Sequence, residues 1–183
     1  METSIIIGVI VFVLVLAFIS IYNGIILMTN KVNEAFSTMD VYLKKRYNLI
    51  PNLIQTVKEY MSHEKEILQS LVNARTLATQ STNSENIISS NNEISIGLQK
   101  VLLMVEAYPN LKASTNFLEL QKELNQIEED ITNARKYYNG SVREYNNYIS
   151  IFPNLIVADI LNKKEKMYFR IEVLERENQE VKF

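Results

Sequence analysis

The chain has 183 residues, with no cysteine, one histidine, four glycines and three prolines. Its formal net charge of −2 argues against a nucleic-acid binder that works by neutralising phosphates. So few glycines and prolines leave little turn chemistry for a β-sheet protein, and the helical spacing of the apolar residues points to an all-α fold.

The first element is an apolar run from Ile5 to Ile21, interrupted only by Gly8 and Ser20. At a rise of about 1.5 Å per residue, such a run is long enough to cross the hydrocarbon core of a bilayer. A cleaved secretory signal would carry a basic start, a shorter apolar stretch and an A-x-A-like cleavage site. Here Met1-Glu2-Thr3-Ser4 precedes the run and no such triplet follows it. A single transmembrane helix is therefore expected, with residues 1–24 as anchor. The first basic residues, Lys31, Lys44, Lys45 and Arg46, all come after the run. Positive charge tends to stay cytoplasmic, which places the N-terminus outside the cell membrane and the following domain in the cytoplasm.

Three prolines punctuate the rest, each opening the same tripeptide: Pro51-Asn52-Leu53, Pro109-Asn110-Leu111 and Pro153-Asn154-Leu155. Proline suits the first turn of a helix but not its interior, and it pushes the preceding residue out of the α region. With a polar break near Gln80–Ser84, four helices are expected at about 23–49, 52–79, 85–107 and 112–151. Their apolar residues recur at alternating 3–4 spacing, as on the seam of a bundle or coiled coil. The first reads Val32, Phe36, Met39, Leu43, Arg46, Ile50; the last runs from Phe117 to Phe152. Short connections favour an antiparallel up-down four-helix bundle with long helices. This domain is expected over residues 25–155, with an amphipathic segment and charged tail over 156–183.

Arg46, Glu64, Arg75 and Asn91 fall on stripes that should be buried, where a charge must be paired. Counting from a turn at Pro51, Arg75 comes level with Asn91 and Glu128. A structural Arg75–Glu128 pair is therefore expected, with Asn91 close by. Glu64 comes level with Leu102 and Glu119, with Lys122 as candidate partner. Arg46 is about three turns from Glu64, too far for contact. These polar positions are read as fixing register rather than lining a site.

Several stretches together resemble one family. They are Tyr22-Asn23, Val32-Asn33-Glu34-Ala35-Phe36, Asp40-Val41 and above all Lys45-Arg46-Tyr47-Asn48-Leu49-Ile50-Pro51-Asn52-Leu53-Ile54. His63-Glu64, Ala74-Arg75, Glu106-Ala107-Tyr108-Pro109-Asn110-Leu111, Glu128, Tyr137-Tyr138-Asn139 and Phe152-Pro153 continue the pattern. In these the chain is similar to the LemA family over nearly its whole length. The resemblance implies one membrane span followed by a helical bundle, and it carries no assigned reaction or catalytic residue. Three departures stand out. Glu59 replaces an expected glycine, Phe36 replaces a tryptophan, and Glu129-Asp130 replaces an Asn-Arg pair. The last removes a base beside Glu128, which again favours Arg75 as its partner.

No catalytic set is visible. His63-Glu64 lacks the second histidine of H-E-x-x-H, since position 67 is Ile67. A single histidine rules out a His-based metal cluster, and the paired Glu-x-x-His motifs of bundle di-metal sites are missing. No enzyme activity and no cofactor are expected. The alternative is a metal-dependent or hydrolytic enzyme with a site between helices around Glu64, Arg75 and Glu128.

The expected function is instead a scaffold or adaptor at the cytoplasmic membrane face. Its partners would be the lipid bilayer and a membrane or cytoplasmic protein, with self-association along the heptad seam as a further option. Tyr60 and His63 are candidate contact residues. Tyr145, Tyr148, Phe152, Leu155 and Ile156, on the returning helix and the segment after it, are candidates for touching the inner leaflet, followed by Lys163 and Lys164. The charged stretch 165–183 is expected as a loose helix or a disordered tail.

Overall fold

The expected break at Pro51 is absent. In the computed structural model, which describes residues 1–61, 63–81 and 84–169, one helix α1 runs from Glu2 to Lys58 with Pro51 inside it. The apolar stripe explains why. Leu43, Ile50, Leu53 and Val57 follow one another at helical spacing, and all are fully buried, as is Met61 just beyond. Burying each such side chain contributes about 1.5–3 kcal/mol, while an interior proline costs about 3 kcal/mol. Keeping the stripe in register therefore outweighs the proline, which sits on the exposed side of the helix. The chain turns between Lys58 and Lys65 instead, where the Tyr60 and Met61 amides both donate to the Val57 carbonyl at 3.0 and 2.8 Å.

The other helices are α2 Lys65–Gln80, α3 Ser84–Val105, α4 Pro109–Lys112, α5 Thr115–Ser150 and α6 Asn154–Ile160. The described residues contain no strand. The remaining two prolines act as breaks: Pro109 opens α4 and Pro153 caps α6. The polar stretch after Gln80 also separates helices, as expected.

The chain forms two compact units. One is centred on Val41–Ile131, with Leu43, Ile50, Leu53, Leu71, Ile94, Val101, Leu111 and Phe117 in its core. Helices α2 and α3 pack side by side there, and a Cβ on Gly97 would lie 3.1 Å from the Leu71 side chain.

The other unit comprises Met1–Asp40 and Thr132–Tyr168. Val32, Ala35 and Met39 of α1, Tyr138, Val142 and Tyr145 of α5, and Val157 and Ala158 of α6 are buried in it. Phe36 meets Tyr138 edge-to-face, with ring centroids 5.7 Å apart. Within the same unit, residues 5–16 of α1 are all exposed. That helix is long and apolar enough to cross a membrane.

After α6 the chain is neither helical nor loose. Asn162 takes a left-handed conformation (φ 51°). The Lys163 amide donates to the Ala158 carbonyl and the Asn162 amide to Asp159, a Schellman ending that suits asparagine. Residues 163–168 then lie along α5. Asn146 and Lys166 exchange two hydrogen bonds (2.9 and 3.0 Å). The Tyr145 hydroxyl donates to the Lys164 carbonyl and the Tyr138 hydroxyl to that of Met167. Residues 165–168 are thus not loose as expected, and the charged stretch from 170 to 183 lies outside the described residues.

Candidate functional site

Tyrosine and arginine placed one after the other on α1 build a polar node inside the Val41–Ile131 unit. Arg46 is 1 % exposed. Its Nη1 donates to Glu128 Oε1 at 2.6 Å and to Ser95 Oγ at 3.1 Å. Its Nη2 donates to Asn91 Oδ1 at 2.5 Å. The Asn91 amide nitrogen donates in turn to the Tyr47 hydroxyl and the Ile87 carbonyl. Three helices thereby share one guanidinium. Its Nε is buried with no hydrogen-bond partner among the described residues.

The fourth helix joins through the backbone. Pro51 has no N–H to offer the carbonyl four residues back, that of Tyr47. Arg75 of α2 supplies the donor: its Nε–H reaches the Tyr47 carbonyl at 2.9 Å. A side chain from a neighbouring helix thus serves the carbonyl that the proline cannot, so the backbone acceptor keeps a partner.

The expected Arg75–Glu128 pair is corrected by this geometry. Glu128 pairs with Arg46, and the buried member is the arginine, since the Glu128 side chain is 44 % exposed. The reason is register. With the turn at 59–64 instead of Pro51, Arg46 and Arg75 come to similar distances on either side of it, and Arg46 moves into reach of Asn91. Glu64 sits in the turn as the N-cap residue of α2, without a side-chain cap bond.

The residues of the enzyme alternative do not converge. Glu64 and Arg75 are separated by about 16 Å along α2, and Glu128 is held by Arg46. A groove of about 370 Å³, lined by Pro51, Ile54, Gln55, Lys58, Val72 and Arg75, includes Arg75 but neither Glu64 nor Glu128. Among the described residues no group of three His, Cys, Asp or Glu side chains could hold a metal ion. Tyr60 and His63 both lie exposed in the 59–64 turn.

In the other unit the residues expected at a membrane separate into two sets. Tyr145 is buried, with its hydroxyl committed to Lys164, so it is not a surface residue. Burial pushes its phenol, and that of Tyr138, above the ordinary tyrosine range. Tyr148 is half-buried and packs on Gly24, where an added Cβ would overlap its hydroxyl. Phe152 (81 % exposed), Leu155 and Ile156 do face outward.

Lys31 pairs with Glu144 at 2.5 Å. That hydrogen bond raises the lysine pKa and lowers the glutamate's. Lys166 donates to Asn33 at 2.9 Å. Burial, and then the nearby Lys163 charge, lowers its pKa. The sequence reading missed Gly24 and Asn146 as contact residues. A glycine inside a helical pattern is the signal that would have flagged Gly24.

Compared with known proteins, residues 35–183 match the family model described as the LemA family. A search of curated proteins finds no match. The family match begins beyond the apolar run, and its range includes Arg46, Tyr47, Pro51, Arg75, Asn91 and Glu128. With most of its length covered in this way, the chain belongs to the LemA family.

Proposed function

We propose that this protein is a single-pass membrane scaffold: an N-terminal span that carries an antiparallel four-helix bundle on the cytoplasmic side and presents it to a protein partner. The carrying observation is the continuity of α1. Its bare apolar part and the stripe that enters the core belong to one unbroken helix, Glu2–Lys58. Within the unit Met1–Asp40 and Thr132–Tyr168, the span thus continues as a packed helix with no intervening linker. The contacts Gly24–Tyr148, Lys31–Glu144 and Phe36–Tyr138 ascend α1 as they descend α5, which favours the antiparallel arrangement. The basic residues after the span favour a cytoplasmic domain.

The chain has no cysteine, so single introduced cysteines give a clean test in native membranes. A cysteine at Leu103 should be shielded from an impermeant reagent in intact cells and labelled after permeabilisation. Labelling in intact cells would reverse the orientation. Recovery of the protein from membranes by alkaline carbonate alone would remove the span. For the scaffold role, photo-crosslinkers at Tyr60 and His63 should capture one defined partner that a crosslinker at Leu103 does not. Equal or absent capture at all three positions would overturn that role.

A further inference from the structure

Helix α6 is amphipathic, with an outward face of the wrong polarity for water. Asn154, Val157 and Ala158 face inward and are buried. Outward lie Leu155, Ile156 and Ile160, with Ile151 and Phe152 just before them, each 46–81 % exposed. Five large apolar side chains on so short a stretch form a patch rather than the scattered exposure normal for a protein surface.

Nor is the patch a loose loop. The Asn154 side chain donates to the Tyr148 carbonyl at 3.0 Å, and the Schellman ending at Asn162 closes the other side. The return segment 163–168 is bonded to α5 beyond it.

Position in the unit tells what covers the patch. Tyr148, which anchors α6 through Asn154, packs on Gly24. Gly24 lies three residues past Ile21, about 4.5 Å beyond the end of the apolar run. The patch therefore stands beside the foot of the span, where Tyr22 is also exposed and where aromatic side chains favour the water–lipid boundary.

Charge adds little at this place. Lys31 is paired with Glu144, and Asp159 and Glu165 offset two of the three charges on Lys163, Lys164 and Lys166 nearby in sequence.

From this placement we infer that α6 is an interfacial foot that inserts the Phe152–Ile160 face into the bilayer next to the span. This rests on the span reading above. Insertion is driven by apolar contact and not by anionic headgroups. The foot fixes the height and rotation of the unit that carries it, Met1–Asp40 with Thr132–Tyr168, relative to the membrane at a second point. Short amphipathic helices of this kind settle about 5–10 Å into the headgroup–acyl boundary.

The test uses the full-length chain in vesicles of zwitterionic lipid, with an environment-sensitive fluorophore on single cysteines. The substitutions are Leu14→Cys in the span, Phe152→Cys and Ile156→Cys on the foot, and Tyr137→Cys on α5. Tyr137 stands about 22 Å back along α5 from Phe152. The foot labels should show blue-shifted emission, quenched by lipids brominated in the upper acyl chain and unchanged at high salt. The Tyr137 label should remain water-exposed.

A lipid signal at Leu14 with aqueous signals at both foot positions overturns the foot and leaves the span standing. An aqueous signal at Leu14 removes both. A foot signal that needs anionic lipid and low salt replaces insertion with electrostatic adsorption. A shift that brominated lipid does not quench, and that grows with protein-to-lipid ratio, assigns the face to a second copy of the chain. Lipid signals at Tyr137 as well as at the foot would mean general adsorption. Each of these three results overturns the proposal.

Discussion

Arg75 should matter to the fold only because residue 51 is a proline. Its Nε–H meets the Tyr47 carbonyl at 2.9 Å, the carbonyl that an amide at position 51 would serve in an uninterrupted helix. A hydrogen bond from a charged donor contributes about 1.5–3 kcal/mol. Arg75 is only half-buried, so the lower end applies, about 1.5 kcal/mol. For a chain of this size each kcal/mol moves Tm by about 2–4 °C. Arg75→Ala should therefore lower the Tm of the full chain in detergent by roughly 3–6 °C, followed by far-ultraviolet circular dichroism.

The informative experiment is the double-mutant cycle. Pro51→Ala restores an N–H aimed at the Tyr47 carbonyl and removes part of the interior-proline penalty of about 3 kcal/mol, so on its own it should raise Tm. On that background Arg75→Ala should cost well under about 1 kcal/mol, because the carbonyl already has a donor. The coupling between the two positions should then reach about 1 kcal/mol, larger than the scatter of about 0.3–0.5 kcal/mol seen for independent sites. Equal losses from Arg75→Ala in the native chain and in the Pro51→Ala variant would refute the reasoning. Arg75 would then act through packing alone.

The polar node predicts losses at both charged ends, for different reasons. Arg46→Ala empties a buried site shared by three helices and leaves Asn91 without its guanidinium partner, which should cost about 2–5 kcal/mol, read as Tm. Glu128→Ala leaves the buried Arg46 charge without its carboxylate and should cost up to about 3–5 kcal/mol; an unchanged Tm for Glu128→Ala would argue against the pair. Gly24→Ala pushes a Cβ into Tyr148 and should destabilise by about 1–3 kcal/mol, with partial rescue by Tyr148→Phe. An unchanged Tm for Gly24→Ala would deny the close approach. Alkaline pH should weaken the unit containing Tyr138, Tyr145 and Lys31. All three have folded pKa values raised above their ordinary ones, so the native state holds more protons than the unfolded state and their contribution is lost as pH rises through the folded values. Lys166, with a lowered pKa, works the other way. Three groups against one should make Tm fall above about pH 10, and a flat Tm there would contradict it.

Helix content and the existence of three of the breaks were legible in the sequence, because period and turn chemistry agreed at those places. At Pro51 they disagreed. The apolar stripe runs through it, from Leu43 and Ile50 to Leu53 and Val57, without a gap. Reading Pro51 as a stop gave local backbone preference more weight than the burial of four core side chains, and the energies favour burial. The real stop carries no glycine signal. Helix α1 ends at Lys58, and Glu59 occupies the next position, where the family resemblance leads one to expect glycine, the residue that most often marks a helix C-terminus.

One misplaced turn then propagates to the polar node. Shifting it by about ten residues moves every level on α1 by about 15 Å, which is why counting from Pro51 sets Arg75, and not Arg46, opposite Glu128. The residue types were right, since a buried arginine, an asparagine and Glu128 do meet, and only the identity of the arginine changed.

The membrane-facing residues fail for a different reason. Tyr145 and Phe152 lie seven apart, on one helical face by spacing, and spacing alone gives both the same exposure. What separates them is the return segment, whose Lys164 carbonyl takes the Tyr145 hydroxyl and covers that part of α5, while the chain turns away at Pro153 and leaves Phe152 bare. A long-range contact made by an irregular segment has no period to read. For that reason the outward face of α6, and not the row of tyrosines, is where lipid contact should be sought.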